Sequence, residues 1–140
     1  MYKKSITFTN LDGESITKDF YFNLNKAEII ELQLTTKGGL ENYLMKINNE
    51  QNVEELTKFI KKLILLSYGE KDEDNIKFIK KKNGIRLAED FEQTDAFSQF
   101  YMELISGEDA DKRFTEFVQG IIPSDLKAQY ANTKQIEAKN

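Results

Sequence analysis

The spacing of apolar residues changes near residue 22, and this change limits which elements the chain can form. Before it, apolar and polar residues alternate, so that Ile6 and Phe8 fall on one face of Lys3–Thr9. Such alternation predicts a half-buried strand. Asp12-Gly13 is typical of a turn, and Ser15–Phe22 is predicted to be the returning strand. We therefore predict a hairpin over residues 1–22, which must pack on something because two strands alone are marginally stable.

After residue 22 the apolar residues recur every three or four positions, which predicts amphipathic helices. Asn25 with Glu28 forms a variant of the capping box and opens the first helix, which Gly38-Gly39 ends. The predicted apolar stripe of this helix is Ala27, Ile30 and Leu34. The predicted stripe of the next helix is Leu40, Tyr43, Leu44 and Ile47.

A long helix, Val53 to Tyr68, is predicted to follow the cap Asn52 and to end at Gly69 as a C′ residue. Its apolar residues cover more than one stripe, so it is either the centre of a bundle or a helix with a second partner. Leu87–Phe91 is predicted as one helical turn. Two further helices are predicted, one capped by Thr94 and one over Asp109–Gly120.

Together these patterns predict an α+β fold that is mainly α. The N-terminal hairpin packs on a bundle of about five helices. We place one domain at residues 1–123, with the hairpin at 1–22 and the helices at 23–123. Residues 124–140 follow Pro123, the only proline, and contain few apolar residues. They are therefore predicted to form a flexible, disordered tail.

The chain contains no histidine, cysteine or tryptophan. This composition excludes Ser-His-Asp and Cys-His catalysis within the chain, and also disulfides and Cys- or His-ligated metals. It does not exclude an enzyme that uses only carboxylates. The acidic segment Glu70–Asn75 lacks the central glycine and the twelfth-position glutamate of an EF-hand loop. We predict no metal site and no cofactor.

The charge pattern gives little reason to expect a nucleic acid or a membrane. The chain has 20 basic and 24 acidic residues, and only Arg86 and Arg113 are arginines. The one basic run, Lys80–Lys82, is better explained as neutralising the neighbouring acidic segment. The longest apolar run, Leu63–Leu66, is far below the roughly 20 residues of a membrane span. The residues alone thus indicate a soluble, helix-rich module that binds another protein.

Several ordered motifs resemble the tail assembly chaperones of long, non-contractile-tailed phages, particularly phages of low-G+C Gram-positive bacteria. The resemblance covers residues 2–123 in unbroken order. It is carried by the opening Tyr2-Lys-Lys-Ser-Ile-Thr-Phe-Thr, Asp12-Gly13, Lys18-Asp-Phe-Tyr-Phe-Asn-Leu-Asn-Lys-Ala-Glu28, Gly38-Gly-Leu-Glu-Asn-Tyr-Leu44, Leu65-Leu-Ser-Tyr-Gly-Glu70, Phe78-Ile79, Phe91-Glu-Gln-Thr-Asp-Ala-Phe97 and Gly120-Ile-Ile-Pro123.

The resemblance implies a non-enzymatic role in tail morphogenesis. Such chaperones bind the hydrophobic, helical tape measure protein, keep it soluble and help to recruit subunits of the major tail tube protein. They act in the cytoplasm of the infected bacterium and are absent from the mature virion. The family often makes a longer, frameshifted product, which would be a further partner, and a homo-oligomer is left open.

A groove for an amphipathic helix needs an apolar floor and a polar rim. We place it either on the second face of the long helix or at the apolar end of the domain, where little chain remains to cover the surface. The candidate partner-binding residues are Phe59, Leu65, Leu66, Phe114, Phe117, Ile121 and Ile122. Phe117→Asp and Leu65→Asp are expected to weaken tape measure binding while the domain stays folded.

Two alternatives stay open at this point. One is another phage tail protein, such as a structural or connector subunit, which would be found in purified virions. The other is a carboxylate enzyme, which would need a deep pocket with two acids of raised pKa.

The last three residues make the frameshift testable. Ala138-Lys139-Asn140 can be encoded by GCA-AAA-AAC, which contains the slippery heptamer A-AAA-AAC. We expect sequencing of the gene to find this heptamer in these codons. Synonymous codons that interrupt it would contradict the expectation.

Overall fold

The computed structural model describes residues 1–123, with the side chains of Leu44, Ile47 and Asn48 left aside. The predicted tail at 124–140, and two members of the predicted second stripe, therefore lie outside the described residues. The six helices of this part of the chain are α1 Lys26–Thr35, α2 Leu40–Glu50, α3 Val53–Ser67, α4 Leu87–Glu92, α5 Asp95–Ile105 and α6 Ala110–Ile121. The fold class is the predicted one, a hairpin packed on helices.

The strands form one principal antiparallel sheet and one short ribbon. The sheet has the order β1-β2-β3-β4, and the ribbon pairs β5 with β6. The strand bounds are β1 Tyr2–Thr9, β2 Ser15–Phe22, β3 Tyr68–Lys71, β4 Phe78–Ile79, β5 Lys81–Lys82 and β6 Ile85–Arg86.

The predicted hairpin is confirmed over its whole length. β1 and β2 pair from Tyr2 opposite Phe22 to Thr9 opposite Ser15. The turn between them is held by Asn10, whose Oδ1 accepts the N–H groups of Asp12 and Glu14. Gly13 has a φ of 84°, the left-handed conformation that glycine adopts without strain. The pairing puts one row of alternate residues against the helices and the other row towards solvent.

The prediction that Gly69 ends the long helix as a C′ residue is wrong. α3 ends at Ser67, and Gly69 lies in β3, where it pairs with Tyr21 of β2. A Cβ atom at Gly69 would lie 2.6 Å from the carbonyl oxygen of Ile79. Glycine is therefore needed here for the close approach of β4, and strands β3 and β4 extend the hairpin into a four-stranded sheet.

The core is organised around Phe22, whose side chain is fully buried. Its ring centroid lies within 6.5 Å of five other aromatic rings, which belong to Tyr2, Tyr68, Phe91, Phe100 and Phe117. The next residues after Phe22 fix the surrounding elements. Asn23 donates its N–H to the Ser67 carbonyl at 2.7 Å, and Leu24 donates to the Ile121 carbonyl at 2.8 Å. β2 is thus joined to the ends of both α3 and α6.

Three predicted helix caps are confirmed. The Asn25 side chain accepts from the Glu28 N–H, and Glu28 accepts from the Asn25 N–H, which completes the capping box. Asn52 and Thr94 accept the N–H groups of Glu55 and Phe97 in the same way. Side-chain caps are determined by neighbouring residues, so they can be predicted from sequence.

The predicted core stripe of α1 faces the wrong way. Ile30 and Leu34 are 58% and 80% exposed, whereas Leu32 is buried and Ile29 is partly buried against the core. α1 carries apolar residues on two faces, so periodicity alone does not choose between them. The observed orientation of α1 is stabilised by an ion pair between Glu28 and the distant Lys80. The Lys80 Nζ lies 2.5 Å from Oε2 of Glu28.

Replacing Gly120 by alanine is expected to lower the free energy of unfolding by about 1–3 kcal/mol. The new Cβ would lie 2.5 Å from Cδ2 of Tyr2. The tyrosine ring cannot easily yield because it is packed against Phe22, Phe100 and Phe117. This overpacking should exceed the gain of about 1 kcal/mol that alanine brings to a helix in place of glycine. Urea unfolding followed by circular dichroism measures the difference.

Gln119→Ala is the matched control, because it alters the neighbouring, partly exposed position of α6. It should change stability by less than about 0.5 kcal/mol. A Gly120→Ala variant as stable as the parent would contradict the proposed close contact.

Candidate functional site

The outer face of α3 carries the candidate site. The opposite face of the helix is buried in the core through Ile60, Leu63 and Ile64, whereas Leu65 and Leu66 are only partly buried. Two shallow depressions lie along the outer face, and both include Lys62. We call the two depressions together the α3 groove.

The first depression lies between α3 and the connection from α1 to α2, and has a volume of about 210 Å³. Tyr43 and Phe59 line it, and their ring centroids are 5.2 Å apart. The Tyr43 hydroxyl donates to Glu55 at 3.0 Å. Burial, followed by this hydrogen bond to a carboxylate, raises the pKa of Tyr43, so the tyrosine is a neutral part of the floor.

Lysines surround this apolar floor. Lys37, Lys58 and Lys62 all line the first depression. Lys58 is paired with Glu54 at 3.0 Å, and this hydrogen-bonded pair raises the pKa of Lys58. Lys37 and Lys62 have no ion-pair partner among residues 1–123. The rim at this end of the groove is therefore positively charged.

The second depression lies between α3 and α4 and has a volume of about 310 Å³. Its apolar lining comes from Leu65, Leu66 and Ala88. Its rim carries both signs of charge, from Arg86, Glu89 and Glu92 together with the shared Lys62. Glu92 is also held by Lys61 at 3.0 Å, which ties α4 to α3 beside the depression.

The structure divides the sequence-predicted site residues into three groups. Leu65 and Leu66 line the α3 groove, and Phe59 contributes to its floor although its side chain is only 4% exposed. Phe114 and Ile122 are partly buried against the core and line neither depression of the groove.

Phe117 and Ile121 are core residues rather than surface residues, with exposures of 0% and 1%. The expectation that little chain covers this end was wrong, because β1 returns there from the start of the chain. Tyr2 contacts the Phe117 ring edge-on, with 5.4 Å between the ring centroids. Phe117→Asp would therefore place a charge in the core and unfold the domain instead of leaving it folded.

The sequence analysis missed Lys37, Lys62 and Ala88 as members of this surface. Lys58 and Lys62 are four residues apart, which places them on one face of a helix, and this spacing was the available signal. Lys37 and Ala88 come from distant segments, so no local pattern could assign them to the groove.

Two of the three lysines in the basic run Lys80–Lys82 form ion pairs within the domain. Lys82 pairs with Glu70 at 3.1 Å, as the predicted neutralisation of the acidic segment requires. Lys80 instead reaches Glu28 of α1. Burial lowers the pKa of Lys80, and the hydrogen bond and charge of Glu28 oppose that effect.

The acidic segment is organised by its own backbone. Oδ1 of Asp72 accepts the N–H groups of Ile76 at 2.8 Å and Lys77 at 3.1 Å. These backbone hydrogen bonds lower the pKa of Asp72. Within residues 1–123, no three acidic side chains come together in a way that could hold a metal ion. No helix in the same range is long and apolar enough to cross a membrane.

An apolar groove with a charged rim, on a small α+β domain, is typical of proteins that bind a segment of another protein. The sequence profile of the phage tail assembly chaperones matches residues 1–140. The chain belongs to this family. No curated protein and no solved structure matches it. The suspected family is thus confirmed, and the match continues beyond Pro123, where the motifs quoted above stop. The narrower expectations of a long, non-contractile tail and of a Gram-positive host stay predictions.

Glu28→Gln is expected to lower the free energy of unfolding by about 2 kcal/mol. Glutamine can still accept the Asn25 N–H, but it removes the charge that Lys80 faces, and the side chain of Lys80 is only 13% exposed. Chemical unfolding at pH 7 measures the loss. Glu31→Gln, at an exposed position of the same helix, is the control and should be nearly neutral. Equal effects of the two variants would contradict a structural role for the Glu28–Lys80 pair.

Proposed function

We propose that this protein binds helical segments of the tape measure protein in the α3 groove and keeps that protein soluble until the tail tube surrounds it. The observation that carries the proposal is the family match over residues 1–140 together with the apolar, lysine-rimmed groove. The role is that of a binding protein, without catalysis.

The dimensions of the groove suit about two turns of a partner helix. Lys58 and Leu66 delimit the part of α3 that lines it. These eight steps along α3 cover roughly 12 Å at 1.5 Å per residue. An apolar stripe on the partner would lie over Tyr43, Leu65 and Leu66, with polar residues beside the lysines.

Such a short site favours weak binding at each position. A long helical protein offers many similar segments, so many copies of the chaperone can coat it and still leave when tube subunits arrive. We propose in the same way that the complex recruits the major tail tube protein and that a frameshifted longer form joins it. Assembly takes place in the host cytoplasm, and the chaperone is absent from the finished virion.

Lys62→Glu and Leu65→Asp are expected to reduce the amount of tape measure protein that co-purifies with the tagged chaperone by at least tenfold. Lys62 borders both depressions and is exposed, so its reversal changes the rim without altering the core. Leu65 contributes apolar lining. Co-expression of both genes, followed by affinity purification and quantitation of the soluble tape measure protein, measures the effect.

Matched controls come from exposed positions outside the groove. Val53→Asp changes an apolar residue of the same helix, and Lys112→Glu reverses a charge on α6. Both should co-purify the tape measure protein as the parent does. Thermal unfolding checks that Leu65→Asp remains folded. Normal co-purification by both groove variants would contradict the site, and recovery of the protein from purified virions would contradict the chaperone role.

A further inference from the structure

β1 forms one edge of the four-stranded sheet. The residues at its end show which of its backbone groups bond to β2 and which point away from β2. Asn10 donates its N–H to the Glu14 carbonyl across the turn, at 2.9 Å. Thr9 donates its N–H away from β2, to Oδ2 of Asp95 in α5, also at 2.9 Å. In an antiparallel pair the residues alternate between those bonded to the neighbouring strand and those directed away from it.

It follows that the backbone groups of Lys3, Ser5 and Thr7 point away from β2, as those of Thr9 do. Their N–H and C=O groups point to the free edge, where residues 1–123 provide no backbone partner. The side chains of all three are exposed. The Thr9 N–H already donates to Asp95, so it is not free to bond to another strand. The part of the edge that can pair with another strand is therefore the segment Lys3–Thr7.

We propose that this edge pairs with the same edge of a second copy of the chain. The two β1 strands would run antiparallel around a two-fold axis at Ser5. Ser5 would then face Ser5 of the second copy, and Lys3 would face Thr7. Three outward residues on each strand give three bonded pairs and six backbone hydrogen bonds, which use every free group of the segment. A copy of the chain supplies a partner edge of matching length and phase.

The charges near the edge favour this occupant. Lysines on an edge strand usually repel a second strand. Here Lys3 is paired with Asp19 at 3.4 Å and Lys4 with Glu103 at 3.2 Å, so both charges are balanced within one copy. The proposed register also sets no lysine opposite another lysine. The segment contains no proline or bulge that would block a further strand.

The side chains on the buried face fit the same register. It sets Tyr2 of one copy opposite Phe8 of the other, while each ring stays packed in the core of its own copy. Met102 is 51% exposed and shares a face of α5 with Asp95, the residue that reaches the edge of β1. The two-fold axis would bring this apolar side chain of each copy towards the new interface.

Ser5→Pro tests the proposal in the full-length chain. Because the Ser5 N–H points away from β2, proline removes an edge donor without removing a backbone hydrogen bond of the hairpin. It also removes the hydrogen bond that the Ser5 hydroxyl donates to Asp19, and Ser5→Ala controls for that loss. We expect the parent and Ser5→Ala to form a concentration-dependent dimer by sedimentation velocity, and Ser5→Pro to remain monomeric at the same concentrations. Circular dichroism checks that all three are folded. A monomeric parent, or a Ser5→Pro dimer as stable as the parent's, would overturn the proposal.

Single cysteines test the register, because the chain has none of its own. In Ser5→Cys the two Cα atoms would lie about 5.5 Å apart, within disulfide range. In Lys3→Cys the two Cα atoms would be four residues out of register and roughly 14 Å apart, which is too far for a disulfide. Oxidation should therefore cross-link Ser5→Cys rapidly, Lys3→Cys poorly, and a mixture of Lys3→Cys with Thr7→Cys rapidly. Equal cross-linking of Lys3→Cys and Ser5→Cys would refute the two-fold arrangement.

No residue of the α3 groove takes part in this edge. If Ser5→Pro loses the dimer but still binds the tape measure protein normally, the dimer edge and the binding groove are independent. If either the dimer or the groove is disproved, the other is still tested by its own experiment.

Discussion

The packing of aromatic rings around Phe22 is the interaction on which the rest of the fold depends. Phe22 ends the second strand, and the rings around it come from β1, β3, α4, α5 and α6. Burying one phenylalanine contributes about 1.5–3 kcal/mol, and each well-oriented aromatic pair adds about 0.5–1.5 kcal/mol. A single side chain thereby connects the sheet to three of the six described helices. The outer face of α3 is left free because the core uses only its inner face.

The parts of the fold that depend on neighbouring residues could be predicted from the sequence. The hairpin follows from alternation and a turn at Asp12-Gly13, and the caps at Asn25, Asn52 and Thr94 follow from short side-chain contacts. The parts that were mispredicted depend on distant residues. Gly69 looks like a helix terminator unless one knows that β4 approaches it, and the rotation of α1 is set by a lysine 52 residues away from Glu28.

The residues of the candidate site also include some that local sequence could predict and some that depend on distant residues. Leu65 and Leu66 could be predicted because α3 has more apolar residues than one buried face can use. Phe117 and Ile121 were misassigned because the residues that cover them lie at the opposite end of the sequence. Lys37 was missed for a related reason, since it reaches the groove only when the connection between α1 and α2 folds against α3. Family membership identifies the class of process, and the groove is the surface that we propose takes part in it.

The contact between Tyr2 and Gly120 has a consequence for how the domain forms. It joins the first strand to the last described helix, so one of the tightest contacts of the core spans almost the whole described chain. Contacts of such large sequence separation form slowly, because the chain between them must first lose its conformational freedom. During synthesis the hairpin emerges well before α6, and its aromatic face stays open to water until that helix arrives. The newly made chain thus passes through a stage in which the aromatic face of its own hairpin is not yet fully covered.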